Sequence, residues 1–390
     1  MISISKLYAA KAQPGDSLRY GRRPPADGIA RPVVVYNCTA RCDLNCAHCY
    51  SHSTAAPAEQ FDTAAALELI DDLGAFGCPV VLFSGGEPLL RADLPELVST
   101  ASARGVRPVL STNGVHLSAE RAEQLKAAGL VYAGVSLDGL RKTHDRFRGL
   151  QGAFDAAVAG VAAARQVGLK AGMRVTVHSG NYDEVPDLVS LAAELGVARL
   201  CFYHLVYAGR GRELQDRDLT GFQKRRLLDH LMDRAAELAE AGSELDILTV
   251  DNHADGPYVY LRLLRENPAR AAEVLALLRA NGGNRTGIGI GCVSWDGRVH
   301  PDQFWRTVTL GNVRQRPFSA IWSDGGAGLL GQLRDRKSLL EGRCGRCAFQ
   351  EVCNGNLRAR AEAVTGRTWA ADPACYLTEE ELLAGPDGVS

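Results

Sequence analysis

The sequence predicts an α/β fold, a partial (β/α)6 TIM-like barrel followed by a small C-terminal cysteine-rich module. Two observations carry the barrel. Apolar runs at 33–37, 79–84, 107–111, 131–137, 172–178 and 199–204 alternate with helix-period segments at 62–76, 92–104, 118–128, 152–167 and 182–195. Strands that are apolar along their whole length belong to parallel sheets covered on both faces, and the intervening helices supply the covers. The module rests on a third observation. From residue 287 onward glycine, tryptophan, short β-like pieces and cysteine dominate, too little apolar matter for a rich core and enough thiols for a metal staple.

Taken in order, residues 1–30 are polar and rich in Pro, Gly and Arg, and read as an N-terminal extension, a flap over the barrel. Residues 31–205 are the barrel. Ser118 is placed to cap its helix, and Gly105, Gly129, Gly168 and Gly196 each follow a helix end. Residues 206–285 read as a helical linker region, with amphipathic patterns at 220–241 and 258–280 and Pro268 splitting the second. Residues 286–390 form the cysteine-rich module.

Composition narrows the function. With 390 residues, 46% hydrophobic and 23% charged, the chain is long enough for one large core plus a smaller unit. A formal net charge of −1 argues against nucleic-acid or membrane-surface partners recruited by bulk charge. No apolar run approaches a membrane span, and the start Met1-Ile2-Ser3-Ile4-Ser5-Lys6 lacks the apolar stretch of a secretory signal, so the cytoplasm is expected. In that setting eleven cysteines point to metal ligation rather than disulfides.

The most informative segment follows the first strand. Cys42, Cys46 and Cys49 form a C-x3-C-x2-C loop. Three thiolates on so tight a loop suit three irons of a four-iron cluster and leave the fourth iron an open position. Zinc is the alternative, although zinc sites usually pair two-cysteine hooks with similar gaps. This loop resembles the signature of the radical S-adenosylmethionine (SAM) superfamily. Further strand ends agree with that resemblance. Gly85, Gly86 and Glu87 are similar to the family's GGE motif, which implies binding of the SAM amino group. Ser111-Thr112-Asn113-Gly114 resembles the family's S-T-N-G, and Ser136-Leu137-Asp138-Gly139 its S-x-D-G. The resemblance implies cofactor contacts from Asn113 and Ser136, a SAM carboxylate on Arg148 or Arg174, and adenine near 202–205. The implied chemistry is reductive cleavage of SAM to a 5′-deoxyadenosyl radical that abstracts a substrate hydrogen.

A second set, Cys344-x2-Cys347-x5-Cys353-x21-Cys375, completes a four-thiolate site for a second [4Fe–4S] cluster, with structural zinc as the alternative. It is similar to the outer auxiliary cluster of SPASM-type (SPASM/twitch) radical SAM enzymes. Cys292 resembles the opening cysteine of that module. Two cysteines of the family pattern are missing, one after Gly297 and one at Leu357, which implies loss of the inner auxiliary cluster.

The stretches 249–256 and 291–305 resemble the tetrapyrrole-modifying branch, and within it most closely the haem d1 biosynthesis type. That resemblance implies didecarboxysiroheme, an iron tetrapyrrole, as substrate, with two propionates removed and oxo groups installed. A flavodoxin or ferredoxin would be the electron donor. A sister haem-pathway enzyme that trims side chains without adding oxo groups is one alternative, and a SPASM peptide maturase another. Candidate substrate contacts are Cys292, His253, His300, Arg210 and Arg298, with Arg212 and Arg306 as further carboxylate partners.

Overall fold

The structure is a computed structural model that describes the chain except residues 22–27, 57–59, 325, 327 and 386–390. Its frame is one sheet. The strands are β1 (Ile2–Ser3), β2 (Val33–Thr39), β3 (Val80–Gly85), β4 (Arg107–Thr112), β5 (Tyr132–Ser136), β6 (Ala171–Val177), β7 (Arg199–His204), β8 (Asp246–Val250), β9 (Ile290–Val293), β10 (Arg298–His300) and β11 (Gly311–Asn312). They lie in the order β1-β8-β7-β6-β5-β4-β3-β2-β9-β10-β11. From β8 across to β9 every pairing is parallel, and the edge strands β1, β10 and β11 pair antiparallel. No pairing joins β1 to β11 among the described residues, so the barrel is incomplete.

The helices between these strands cover the sheet by the expected periodicity. Thr63–Phe76 buries Ala66, Leu69, Ile70 and Leu73, one stripe at helical spacing, and Asp62 caps it by accepting from the Ala65 N–H. Each such buried Leu or Ile contributes about 1.5–3 kcal/mol. Ser118 accepts from the Arg121 N–H, as its position before a helix predicts. Near Pro268 the chain divides into helices Asp255–Glu266 and Pro268–Asn281, with the Asn267 side chain capping the second.

Three expectations need correction. The first residues are not a loose flap. Ile2, Ile4 and Leu7 are buried, and β1 pairs with β8. The 22–27 part of that extension lies outside the described residues. The region 206–285 is not wholly helical, because its five-residue run 246–250 enters the sheet as β8. A short apolar run carries no periodicity that separates strand from helix. The 286–390 region also gives a strand to the barrel, since β9 pairs parallel with β2 and sets Cys292 against Val35.

Candidate functional site

The C-terminal ends of β2 to β8 open on one cavity of about 1050 Å³, counting its solvent-open mouth. Loops at this end of a parallel barrel are free to carry chemistry because the strands behind them are fixed. Cys42, Cys46, Cys49, Gly85, Gly86, Asn113, Ser136, Arg148 and Arg174 all line it.

The cysteine loop is held from several sides. The Cys42 N–H donates to the Thr54 carbonyl at 2.8 Å and the Ala47 N–H to the Phe147 carbonyl at 2.9 Å. Arg210 donates through Nε to the Cys46 carbonyl at 2.8 Å and through Nη1 to the Ser53 carbonyl at 3.0 Å. Arg306 donates to the Ser51 carbonyl at 2.6 Å and lies over the Trp295 ring. These two arginines, read from sequence as substrate contacts, bind the loop backbone instead. The three thiols pack with Leu44 and Val115, and burial pushes the Cys42 thiol up to about 12. A metal must therefore displace the proton to be ligated there. A four-iron cluster takes each thiolate on a separate iron, and these three thiols share one loop lining the cavity. The residues fit the cluster.

Arg148 supplies local positive charge. Its Nη1 lies 3.6 Å from the Cys46 sulfur and its Nη2 2.5 Å from Asp138 Oδ2, with both side chains almost fully buried. Asp138 is fixed in turn by the Thr176 N–H at 2.6 Å. Arg174 differs. Its guanidinium stands over the Tyr203 ring at 4.9 Å and has no hydrogen-bond or ion-pair partner among the described residues. Of the two arginines expected to meet a ligand carboxylate, Arg174 is the one whose donors are open.

Gly85 and Gly86 are required by close backbone approach. A Cβ on Gly85, whose φ is +119°, would lie 2.4 Å from the Thr39 carbonyl, and one on Gly86 would lie 2.1 Å from the Arg41 carbonyl. Their crossing pins the start of the cysteine loop to the end of β3. Glu87 does not line the cavity. Its carboxylate accepts from the Leu89 N–H at 3.0 Å, the Thr112 hydroxyl at 2.7 Å and the Asn113 N–H at 2.8 Å, tying β3 to β4, and burial pushes it up to about 7. It positions Asn113, whose side chain donates to Asp43 at 2.8 Å in the loop.

The remaining substrate candidates separate. His300 is satisfied on both ring nitrogens, by Ser294 at 2.9 Å and the Val308 carbonyl at 2.6 Å. The His253 ring lies 3.4 Å from the Met1 amino group and is not among the residues lining the cavity. Arg298 pairs with Asp296 at the surface, and Arg212 is exposed. Cys292 is fully buried and accepts from Asn37 Nδ2 at 3.3 Å, while Asn37 accepts from the Tyr50 hydroxyl at 2.8 Å. Cys292 thus sits one residue behind Tyr50, which does line the cavity. Sequence reasoning singled out neither Tyr50 nor, within the stretches 249–256 and 291–305, Asp251, Gln303 and Phe304 as wall residues, whereas His204 falls in the 202–205 segment expected near adenine. Asp251 follows directly on β8. Recognition of that strand was the signal that would have found it.

The four later cysteines line a second, smaller pocket with Phe349, Leu382 and Ala254. Burial pushes the Cys353 thiol well above its usual range and Cys375 up to about 12. Asp251 and Ala254, three positions apart, face the two pockets. The turn between them is held by Asn356, which accepts from the His253 N–H at 2.7 Å and donates to Asn252 at 2.7 Å.

The family model described as "Radical SAM superfamily" matches residues 36–192. The Fe-coproporphyrin III synthase of Methanosarcina barkeri is 51% identical across 98% of this chain and 99% of its own length. The pre-heme d1 synthase of Dinoroseobacter shibae is 42% identical, covering 94% of this chain and 92% of that one. Among solved structures, Streptococcus suis SuiB bound to S-adenosylmethionine superposes with a TM-score of 0.70 at 17% identity, over 93% of this chain and 80% of that one. This last likeness concerns the fold.

Proposed function

Because the chain belongs to the radical SAM superfamily and is a radical SAM enzyme, we propose that it trims side chains from an iron tetrapyrrole derived from siroheme, with Fe-coproporphyrin III as product. The carrying observation is the end-to-end match to the Fe-coproporphyrin III synthase at 51% identity. The oxo-installing reaction expected from sequence is the second reading, favoured by the 42% match to the pre-heme d1 synthase. Both relatives match nearly the whole chain, so coverage alone does not separate the two readings.

The cluster on Cys42, Cys46 and Cys49, with SAM, supplies a carbon-centred radical that abstracts hydrogen. The chain's own residues do the rest. Arg210, Arg306 and Asn113 fix the loop. Arg174 offers open donors to the SAM carboxylate, and Ser136 a hydroxyl on the same wall. Tyr50 and Phe304, edge to face at 5.4 Å, give the cavity an aromatic flank for a flat ligand. Enclosure keeps water and competing hydrogens from the reacting carbon. The second four-cysteine pocket suits an auxiliary [4Fe–4S] cluster, and a flavodoxin or ferredoxin is the proposed electron source. No helix among the described residues is long and apolar enough to cross a membrane. We assign the chain to the cytoplasm.

The deciding experiment is anaerobic incubation with SAM, reductant and didecarboxysiroheme, followed by mass spectrometry. Methyl-bearing product at the mass of Fe-coproporphyrin III supports the first reading. Loss of propionates with oxygen gained supports the second, and unchanged tetrapyrrole contradicts both.

Two variants test the assignments. Arg174→Gln is expected to weaken SAM binding about 10- to 100-fold, the worth of charge-assisted hydrogen bonds. Equilibrium dialysis on the reconstituted chain checks this, and unchanged affinity removes Arg174 from the SAM site. Cys353→Ala is expected to spare SAM cleavage more than product formation, because Cys353 lines the second pocket only. Equal loss of both would contradict separate roles for the two pockets.

A further inference from the structure

The wall of the cavity that holds the cysteine loop also contains a carboxyl group whose side chain has no partner in the fold. Asp251 follows β8, lines the cavity, and is 9% exposed. Its Oδ2 is buried with no hydrogen-bond partner. Its backbone sits at φ +67°, a left-handed conformation that a residue with a side chain adopts at a cost. Unpaired buried carboxyl oxygens and strained backbone both concentrate at ligand sites.

The surroundings decide which form Asp251 takes. The nearest guanidinium, Arg360, is engaged elsewhere. It binds Asp372 with two donors, the Leu205 carbonyl, and the backbone carbonyl of Asp251 rather than its side chain. Other charged or titratable groups facing Asp251 are the Met1 amino group, His204, Asp302 and the Tyr203 phenol, which burial keeps neutral. His204 is bonded to Asp255 at 2.9 Å, and the Met1 amino group to His253 at 3.4 Å. Asp302 is an acid and adds repulsion. A buried carboxyl without a bonded cation holds its proton more tightly.

We propose that Asp251, as a protonated acid, forms a neutral donor subsite that binds a carboxylate side chain of the substrate. A neutral donor suits this wall. It holds an anionic chain without a second cation that would compete with Arg174 for the SAM carboxylate. The subsite rests on the tetrapyrrole reading, whose substrate carries carboxylates around its rim. Burial pushes Asp251 up to about 7, so the subsite fails as pH rises through neutrality.

The test is an absorbance titration of the reconstituted two-cluster chain with didecarboxysiroheme from pH 6 to 9. In the wild type the dissociation constant should rise up to about tenfold per pH unit above 7, as a single linked proton requires. Asp251→Asn keeps a neutral donor of the same shape. It should bind as the wild type does at pH 6 and stay flat to pH 9. Asp251→Ala should bind about tenfold more weakly at pH 6, the worth of a hydrogen bond to a charged group. If the alanine variant does not fold, the asparagine profile alone decides. Tighter binding with rising pH, or loss of binding in Asp251→Asn, would mean an ionised carboxylate and overturn the proposal. A wild-type pH profile retained in Asp251→Asn would also overturn it. Absence of tetrapyrrole binding by the wild type would instead remove the tetrapyrrole reading, and the subsite with it.

Discussion

Cys42→Ala is expected to reduce deoxyadenosine formation to background while the chain stays folded. The three loop cysteines sit within a backbone frame set by the Thr54, Phe147 and Arg210 contacts, none of which uses the Cys42 side chain. Losing the thiol removes little of the core. The nearby sulfurs are engaged in the fold, Cys292 among them, buried against Asn37. Cys38 is buried within β2, and Cys78 is buried just before β3. A cluster missing one of three thiolates has no replacement donor, and the chemistry that depends on it stops. Anaerobic assay of deoxyadenosine, with circular dichroism as the folding control, checks the expectation. Turnover within tenfold of wild type would show that Cys42 is not a ligand.

Arg360→Met carries the largest expected effect on stability. Arg360 and Asp372 are both fully buried and joined by two hydrogen bonds of 2.8 and 2.9 Å. Arg360 also ties the carbonyls of Leu205 and Asp251, at the ends of β7 and β8, to the cysteine-rich region. Asp372 completes the knot by accepting from the Leu357 and Ala374 N–H groups at 2.9 Å each. Removing one member strands the other charge in the interior, at about 3–5 kcal/mol. The thermal midpoint should fall by about 4–6 °C for a chain of 390 residues. Lysine should not rescue it, because a single ammonium cannot reproduce the planar fork. Replacing both members, Arg360→Met with Asp372→Leu, should recover part of the loss, since no charge is then left unpaired. A shift of under about 1 °C for Arg360→Met, against that scale, would contradict this picture.

Much of this was legible in the sequence, for identifiable reasons. The barrel strands are apolar along their length, and the glycines of the 85–86 crossing announce a backbone approach that the structure shows at 2.4 and 2.1 Å for a hypothetical Cβ. The cysteine spacings placed both thiol clusters. Other features were hidden because their cause is tertiary. Arg210 and Arg306 carry the charge a substrate carboxylate would want, yet backbone carbonyls of the cysteine loop claim them. Glu87 has a carboxylate suited to an ammonium, yet three donors from neighbouring strand ends occupy it. Asp251 was missed because the five residues before it are too few to show a period, and only their pairing with β7 makes them a strand.

The central claim is that Cys42, Cys46 and Cys49 hold a cluster with one iron left for SAM. Its most direct test is electron paramagnetic resonance of the reduced, anaerobic chain in which Cys344, Cys347, Cys353 and Cys375 are replaced by alanine, with and without SAM. One four-iron signal whose g-values shift on adding SAM is the expected result. A signal indifferent to SAM, or no iron on the loop, would contradict it.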